Sequence, residues 1–348
     1  MDFIKEEKVK IEKEKMISAL KMVRPGLAKK AIVEQQTHFI FTGDEICTFN
    51  DHICIVHKFP TDFACSIPAE QFYKILDKIP DGEMDISLKN DKMVIRAGKT
   101  RGGILTQTGE DLTKEISLLL SKKKKWRSIT DDFMQGLELC VFSASKDMSN
   151  PRLTGLYVDH DAVISSDNLR ISQYIFKDDI GESFLIPATI VQELLNYEIV
   201  RFCIVDGWSF FEAKDETLFC AQLLAGMEYP ETDVYFDFEG VKFELPEELK
   251  AAAEATLTVA QGETDAEKLI EIEIAEGSIV CRGENNIAWL ELMFEAGIKL
   301  KEPIRFSINP LFLLKILEKT RKVMYGSGRI LFISKNFRHL VVVKMADK

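Results

Sequence analysis

The sequence predicts an α+β fold of three tandem domains, each with two helices packed on antiparallel sheet. Three observations predict it. First, one phrase recurs: "CSIPAEQFYKIL" from Cys65, "FLIPATIVQELL" from Phe184 and "FSINPLFLLKIL" from Phe306, with starts 119 and then 122 residues apart. Second, in each copy an isoleucine (Ile67, Ile186, Ile308) lies eight residues before the penultimate apolar residue (Ile75, Leu194, Ile316). Third, the turns correspond: Asp44-Glu45-Ile46, Asp161-Ala162-Val163 and Gly277-Ser278-Ile279 each turn one strand into the next. The expected domains are residues 1–119, 120–226 and 227–348.

The elements follow one plan. In the first repeat "FIKEEKVKIE" reads as a strand, and a helix around Glu14 to Val23 stops at Pro25-Gly26. "HFIFTGDEICTF" and "DHICIVHKF" alternate around turns. The recurrent phrase follows, with Pro68 near the helix start, where its missing N–H costs nothing. That helix runs to about Lys78, and the strands "EMDISLK" and "KMVIRAG" close the repeat. The second repeat opens at the Lys122–Lys125 run, with a helix around Phe133 to Ser143. Its strands are "RLTGLYVDHDAVISS", "NLRISQYIF", "RFCIVDG", "WSFFEAKD" and "TLFCAQLL". The third starts near Met227 with a helix through "PEELKAAAEATLTVA", then "LIEIEIAEG", "SIVCRG", "IAWLELMFE", "RILFIS" and "HLVVVKM". Helices packed on one face of a curved sheet bury a sufficient core. Like units in tandem bury like faces and tend toward symmetric rings or arrays, and a second copy can close two unpaired ends.

Composition narrows the class. The 348 residues are 46% hydrophobic and 29% charged, as in a folded globular protein. No run of 18 uncharged apolar residues is present, and "MDFIKEEKVKIEKEKM" has no signal-peptide core. Seven scattered cysteines without a C-x-x-C pair fit free thiols in a reducing, cytoplasmic setting. The net charge of −11 argues against indiscriminate nucleic-acid binding, but it is uneven. Residues 1–30 carry nine Lys/Arg against five Asp/Glu, and residues 303–348 carry ten against two. Residues 228–302 carry six against nineteen. Local basic surfaces on an acidic body are therefore expected.

The basic residues fall on helix faces. Lys13, Lys21 and Arg24 lie within an arc of about 80°. Lys74 and Lys78 in the first phrase match Lys315 and Lys319 in the third, and Lys322 continues the stripe if the helix extends that far. Glu193 and Tyr197 interrupt the rule in the second repeat. The functional reading is a set of helices touching phosphates without reading bases. The plain reading is solvated helix faces.

No enzyme site stands up. G-x-S-x-G, G-x-G-x-x-G, Walker and H-E-x-x-H patterns are all absent, and no catalytic, cofactor or metal residue is assigned. Cys47, His52, Cys54 and His57 form the densest potential ligand group, but alternation leaves their convergence unforced. Asp159-His160-Asp161 reads as an acidic turn.

At this point the sequence resembles the bacterial-type DNA sliding clamp, the beta subunit of the replicative DNA polymerase. "GLYVDHDAVISSDNLRIS" is similar to the clamp strand, turn and "TDGHRL" segment, and "SFLIPATIVQELL" to the element after it. "CSIPAEQFYKILDKIPDGEMDISLKNDKMVIRAGKTRGGI" is similar to the clamp pattern of proline-led helix, Pro-x-Gly turn and strand. The resemblance covers almost the whole chain. It implies a head-to-tail homodimer, six like units in a ring, with helices lining a hole for double-stranded DNA. It also implies a replicative polymerase and a clamp-loader ATPase as partners, and processivity by topology without covalent chemistry. A pocket for short hydrophobic peptides is implied at Leu153, Ser166, Asn168, Leu169, Arg170, Ile171, Leu245, Pro246, Val343 and Met345. The DNA-facing set is Lys13, Lys21, Arg24, Lys74, Lys78, Lys315, Lys319 and Lys322. Two departures point to a divergent member and fit a viral source. Asn168-Leu169 stands where the family favours Gly-His, and "VVVKMADK" lacks its Met-Pro-Met run. The alternatives are a monomeric repeat scaffold that binds only proteins, and a metal-dependent nuclease with carboxylates converging in a cleft.

Overall fold

The computed structural model describes residues 7–30, 33–89, 91–107, 110–224, 226–262, 264, 267–300 and 302–342. The first elements are β1 (Glu7–Glu12), α1 (Lys13–Val23), β2 (His38–Thr42), β3 (Glu45–Phe49), β4 (Ile53–Lys58), β5 (Ala64–Pro68), α2 (Ala69–Lys78), β6 (Glu83–Lys89), β7 (Lys92–Ala97), β8 (Thr100–Leu105) and α3 (Glu110–Leu120). Then come β9 (Arg127–Ser128), α4 (Asp131–Cys140), β10 (Gly155–Val158), β11 (Ala162–Ser166), β12 (Arg170–Ile175), β13 (Phe184–Pro187), α5 (Ala188–Leu194), β14 (Ile199–Val205), β15 (Trp208–Ala213) and β16 (Leu218–Gln222). The last are β17 (Val241–Glu244), α6 (Glu248–Thr256), β18 (Ile270–Ala275), β19 (Ser278–Glu284), β20 (Trp289–Glu295), β21 (Ile304–Ile308), α7 (Pro310–Lys319), β22 (Lys322–Gly326), β23 (Arg329–Ile333) and β24 (Phe337–Val342). The order strand, helix, four strands, helix, three strands thus occurs three times, with α3 additional after the first. The recurrent phrase is the strand-to-helix passage β5–α2, β13–α5 and β21–α7. Its isoleucines Ile67, Ile186 and Ile308 are all buried, which is why the phrase keeps them. Asn309 accepts from the Phe312 N–H at 3.1 Å and caps α7, with Pro310 in its first turn.

The chain packs as two compact units, residues 1–130 with 193–223, and 131–192 with 224–348. In the first unit an eight-stranded sheet runs β5-β2-β3-β4-β16-β15-β14-β9, and a four-stranded sheet runs β1-β6-β7-β8. The second unit repeats this as β13-β10-β11-β12-β24-β23-β22-β17 and β20-β19-β18-β21. Every adjacent pair is antiparallel, and along each strand alternate residues face opposite sides. Each eight-stranded sheet joins four strands from one repeat to four from the next, at β4–β16 and at β12–β24.

Helices cover one side of each large sheet. Thr48 of β3 points toward α1, where its hydroxyl donates to the Val23 carbonyl at 2.5 Å and satisfies an open helix-end acceptor. In the second unit α4 lies close on β11 and β12 because Gly136 has no side chain: a Cβ there would stand 2.9 Å from Phe176 and Val163. The opposite, outer sides are covered differently. On the first sheet α3 seats Leu112, Ile116 and Leu119 over Cys47, Phe49, Cys54, Cys220, Phe210 and Cys203, and all are buried. The sequence reading left this stretch unassigned. A second difference lies at Lys322, which opens β22 instead of extending the helix, because α7 ends at Lys319.

Candidate functional site

The outer side of the second large sheet is only partly covered. Its strand registers align Ser166, Ile171, Leu340, Leu331 and Met324 in one row across β11, β12, β24, β23 and β22. Ile171, Leu340, Leu331 and Met324 form a buried cluster with Phe236, and Ile164, Phe238 and Ile333 pack against it. Phe236 and Phe238 come from the connector between β16 and β17. Arg338 and Arg329 of the sheet reach up to that connector. Arg338 donates to Asp233 at 2.8 Å and lies 4.1 Å over the Phe236 ring. Arg329 donates to the Tyr235 carbonyl at 2.9 Å and lies 5.3 Å over Phe238.

Around this floor, large apolar groups stand in solvent. Leu169 is 66% exposed, Val234 64%, Val342 50% and Tyr235 49%. The β11–β12 turn explains Leu169. Asp167 accepts from the Leu169 and Arg170 N–H groups, each at 3.1 Å, and from Arg170 Nε at 2.9 Å. Asn168 takes φ 72°, a conformation asparagine tolerates well. The turn is thereby closed on itself and Leu169 is left outside. Its carbonyl accepts from Val342 N–H at 2.8 Å, so the two exposed side chains are neighbours on one rim. An apolar floor, an exposed apolar rim and a few fixed polar groups suit a short hydrophobic peptide.

The expected pocket residues are sorted by this geometry. Ser166 and Ile171 lie in the row, and Asn168, Leu169 and Arg170 form the rim turn. Leu153 is buried in the turn before β10 and is not part of the cluster. Leu245 and Pro246 do not join it. They follow β17, at the far edge of the sheet, four strand spacings or about 19 Å from β12. Leu245 N–H is bound to the Arg321 carbonyl, and Pro246 faces a groove with Glu247, Lys250 and Leu317. Val343 and Met345 lie outside the described residues. The sequence reading missed Phe236, Phe238, Leu331, Leu340 and Met324. The alternation in "DVYFDF" was the available signal for the connector.

The basic set divides too. Lys13 is buried, with Nζ 2.6 Å from the Ile79 carbonyl and 2.9 Å from Asp81, so it ties α1 to the end of α2. Lys74 pairs with Glu70 at 2.5 Å and Lys78 with Asp77 at 2.7 Å. Lys315 pairs with Glu138 at 2.8 Å and lies over Phe142. Exposed Lys21 and Lys319 have no carboxylate partner among the described residues, and Arg24 lies over Tyr73. Lys322 is on a strand. The helices also carry Glu14, Glu138, Glu248 and Glu254, so their solvent faces are mixed in sign.

No group of three or more His, Cys, Asp or Glu among the described residues is placed to hold a metal. Cys47 and Cys54 face the α3 side, whereas His52 bonds Gln222 and His57 bonds Thr217. Burial pushes the Cys47 thiol well up, and a hydrogen bond with Cys220, then burial, does the same to Cys54, which suits packing and not nucleophilic chemistry. In the acidic turn, His160 pairs with Asp179 at 3.1 Å and Asp159 accepts from Ser183 at 2.6 Å.

No family profile and no curated protein sequence matches the chain. Solved structures do. A DnaN sliding clamp (DNA polymerase III subunit beta) from Pseudomonas aeruginosa, bound to griselimycin, superposes with a TM-score of 0.75 at 14% identity. That match covers 98% of this chain and 100% of the other. The chain has the sliding clamp fold. The DNA polymerase sliding clamp of Bacillus subtilis gives a TM-score of 0.75 at 17% identity, with the same coverage. A putative DNA polymerase III beta subunit from Eubacterium rectale gives 0.74 at 17%, over 97% of this chain and 99% of that one.

Proposed function

We propose that the chain is a DNA sliding clamp: a processivity factor whose two copies close head to tail around duplex DNA and tether a replicative polymerase. The three domains are residues 1–119, 120–226 and 227–348. The single observation that carries this is the state of the sheets. Two are complete at eight strands, and two are halves of four strands, each ending on an open edge, β8 in one and β20 in the other. By position in the repeat, β8 corresponds to β16 and β24, and β20 to β4 and β12. The complete sheets join at β4–β16 and β12–β24, so β20 of one copy pairs with β8 of the next.

The register carries over from those two joints. It sets Trp289 opposite Leu105, Leu290 opposite Ile104 and Leu292 opposite Gly102. Trp289 is 63% exposed and Leu105 69%, so both are apolar groups awaiting cover. Charge agrees as well. Lys92, Arg96, Lys99 and Arg101 lie on and beside β8, while Glu291 and Glu295 lie on β20; Glu284 of β19 is already paired with Arg282. Open edges of this kind are otherwise an aggregation hazard.

The helices would supply weak phosphate contacts through Lys21, Arg24 and Lys319. Weak contact is what sliding requires, since base-reading contacts would stall the ring. The apolar outer face would receive short peptide segments of the polymerase and of a clamp-loader ATPase. The protein works in the cytoplasm and performs no covalent step. The test is retention on DNA: loaded protein should stay on nicked circular DNA and run off after linearisation. Equal loss from both forms would refute topological binding.

A further inference from the structure

One wall of the docking face comes from no strand. Residues 232–238 lie along the outer side of β12 and β24, and Arg338, Gln173 and Arg329 each make a polar tie to them. Its Nη2 donates to Asp233 at 2.8 Å, and its Nε donates to the Gln173 side-chain oxygen. Its guanidinium lies 4.1 Å over the Phe236 ring. Gln173 donates in turn to Asp233 at 3.4 Å. Arg329 adds a tether one strand further on, at the Tyr235 carbonyl. In the first sheet the corresponding position is Leu218, part of the apolar face that α3 covers. There the cover is held by burial. Here the burial of Phe236 is joined by two guanidinium groups, Arg338 and Arg329.

We propose that Arg338 is a positioning residue for partner docking. It fixes the connector so that Val234 and Tyr235 stand at the same end of the face as Leu169 and Val342. The groove is then a two-sided slot and not an open sheet. A planar guanidinium suits this role because it stacks, forks and ion-pairs at once. Lysine offers only the charge. The inference rests on the reading of this face as the docking site.

The test uses the full chain and griselimycin, the ligand of the P. aeruginosa clamp structure, as the probe. Calorimetry compares wild type, Arg338→Ala, Arg338→Lys and Asp233→Asn. Hydrogen exchange follows the amides of residues 232–238 against those of β12. Arg338→Ala should weaken binding about tenfold, with Arg338→Lys and Asp233→Asn between it and wild type. Exchange should quicken in the connector while β12, the unfolding midpoint and the native mass stay unchanged. Faster connector exchange with unchanged affinity would overturn the proposal, and so would unchanged exchange. A wild-type chain that fails to bind griselimycin would instead remove the docking-face reading, leaving the exchange data to judge the tether alone.

Discussion

At the residue scale, His339 shows how fully the second unit commits its interior. It is fully buried, with Nδ1 2.8 Å from Ser172 Oγ, which is 2.8 Å from Ser143 Oγ. Its Nε2 has no hydrogen-bond partner among the described residues, and Phe312 lies edge-on at 4.6 Å. Burial first, and the Arg170 charge second, hold its pKa well below the usual value. The unfolded chain therefore takes up a proton at about pH 6.5 that the folded chain refuses. Stability from this site is complete above that pH and falls as pH drops below it. Unfolding midpoints between pH 8 and 5 should show the loss, and His339→Gln should flatten that limb. An unchanged slope in the variant would assign the acid sensitivity elsewhere. The lysines make a second residue-scale point. Lys13 scored as a basic face residue in the sequence, but periodicity reports direction around a helix and not the Asp81 carboxylate that awaits it. Charge reversal at Lys21, Arg24 and Lys319 should shorten DNA retention. Charge reversal at Lys78, already paired with Asp77, should change it less, and equal effects would contradict the sorting.

At the element scale, what the sequence revealed and what it hid have a common cause. The recurrent phrase is local: a strand, a break and a helix follow one another, so Ile67, Ile186 and Ile308 stand out by spacing alone. The proposed docking face is not local. It is assembled where strands from successive repeats meet, so Ile171 meets Leu340 across 169 positions of chain. Leu245-Pro246 came from the family resemblance, but β17 sits at the far edge of the sheet, and the adjacent connector supplies Phe236. Helix α3 was missed for a similar reason. It stands outside the threefold pattern, and its value lies in the cysteine-lined face it covers. Ile116→Ala should destabilise the first unit by about 2–4 kcal/mol in denaturant titrations, because the site is enclosed. A change under about 0.5 kcal/mol would mean that α3 is a loosely held cover. The edge strands give the sharpest element-scale test. Trp289→Arg should leave the circular dichroism spectrum intact and convert the native species to monomer. Persistence of the dimer would place the joint elsewhere.

At the scale of the whole molecule, the account is one of sheet completion. Folding leaves two half-sheets whose edges match in position, apolar cover and charge. Association would then be an extension of folding, with main-chain bonds that hold only while the edge side chains, Trp289 among them, are covered. On the proposed reading, an acidic chain of net charge −11 would hold DNA because topology, and not affinity, would do the retaining. Mixed-sign helix faces are consistent with that division of labour. The most direct measurement is native mass across a dilution series, at fixed salt. The chain is 39.6 kDa, and the account predicts a species of about twice that mass, falling to monomer only on dilution or in Trp289→Arg. A wild-type monomer at every concentration, with Trp289→Arg indistinguishable from it, would contradict the closed ring.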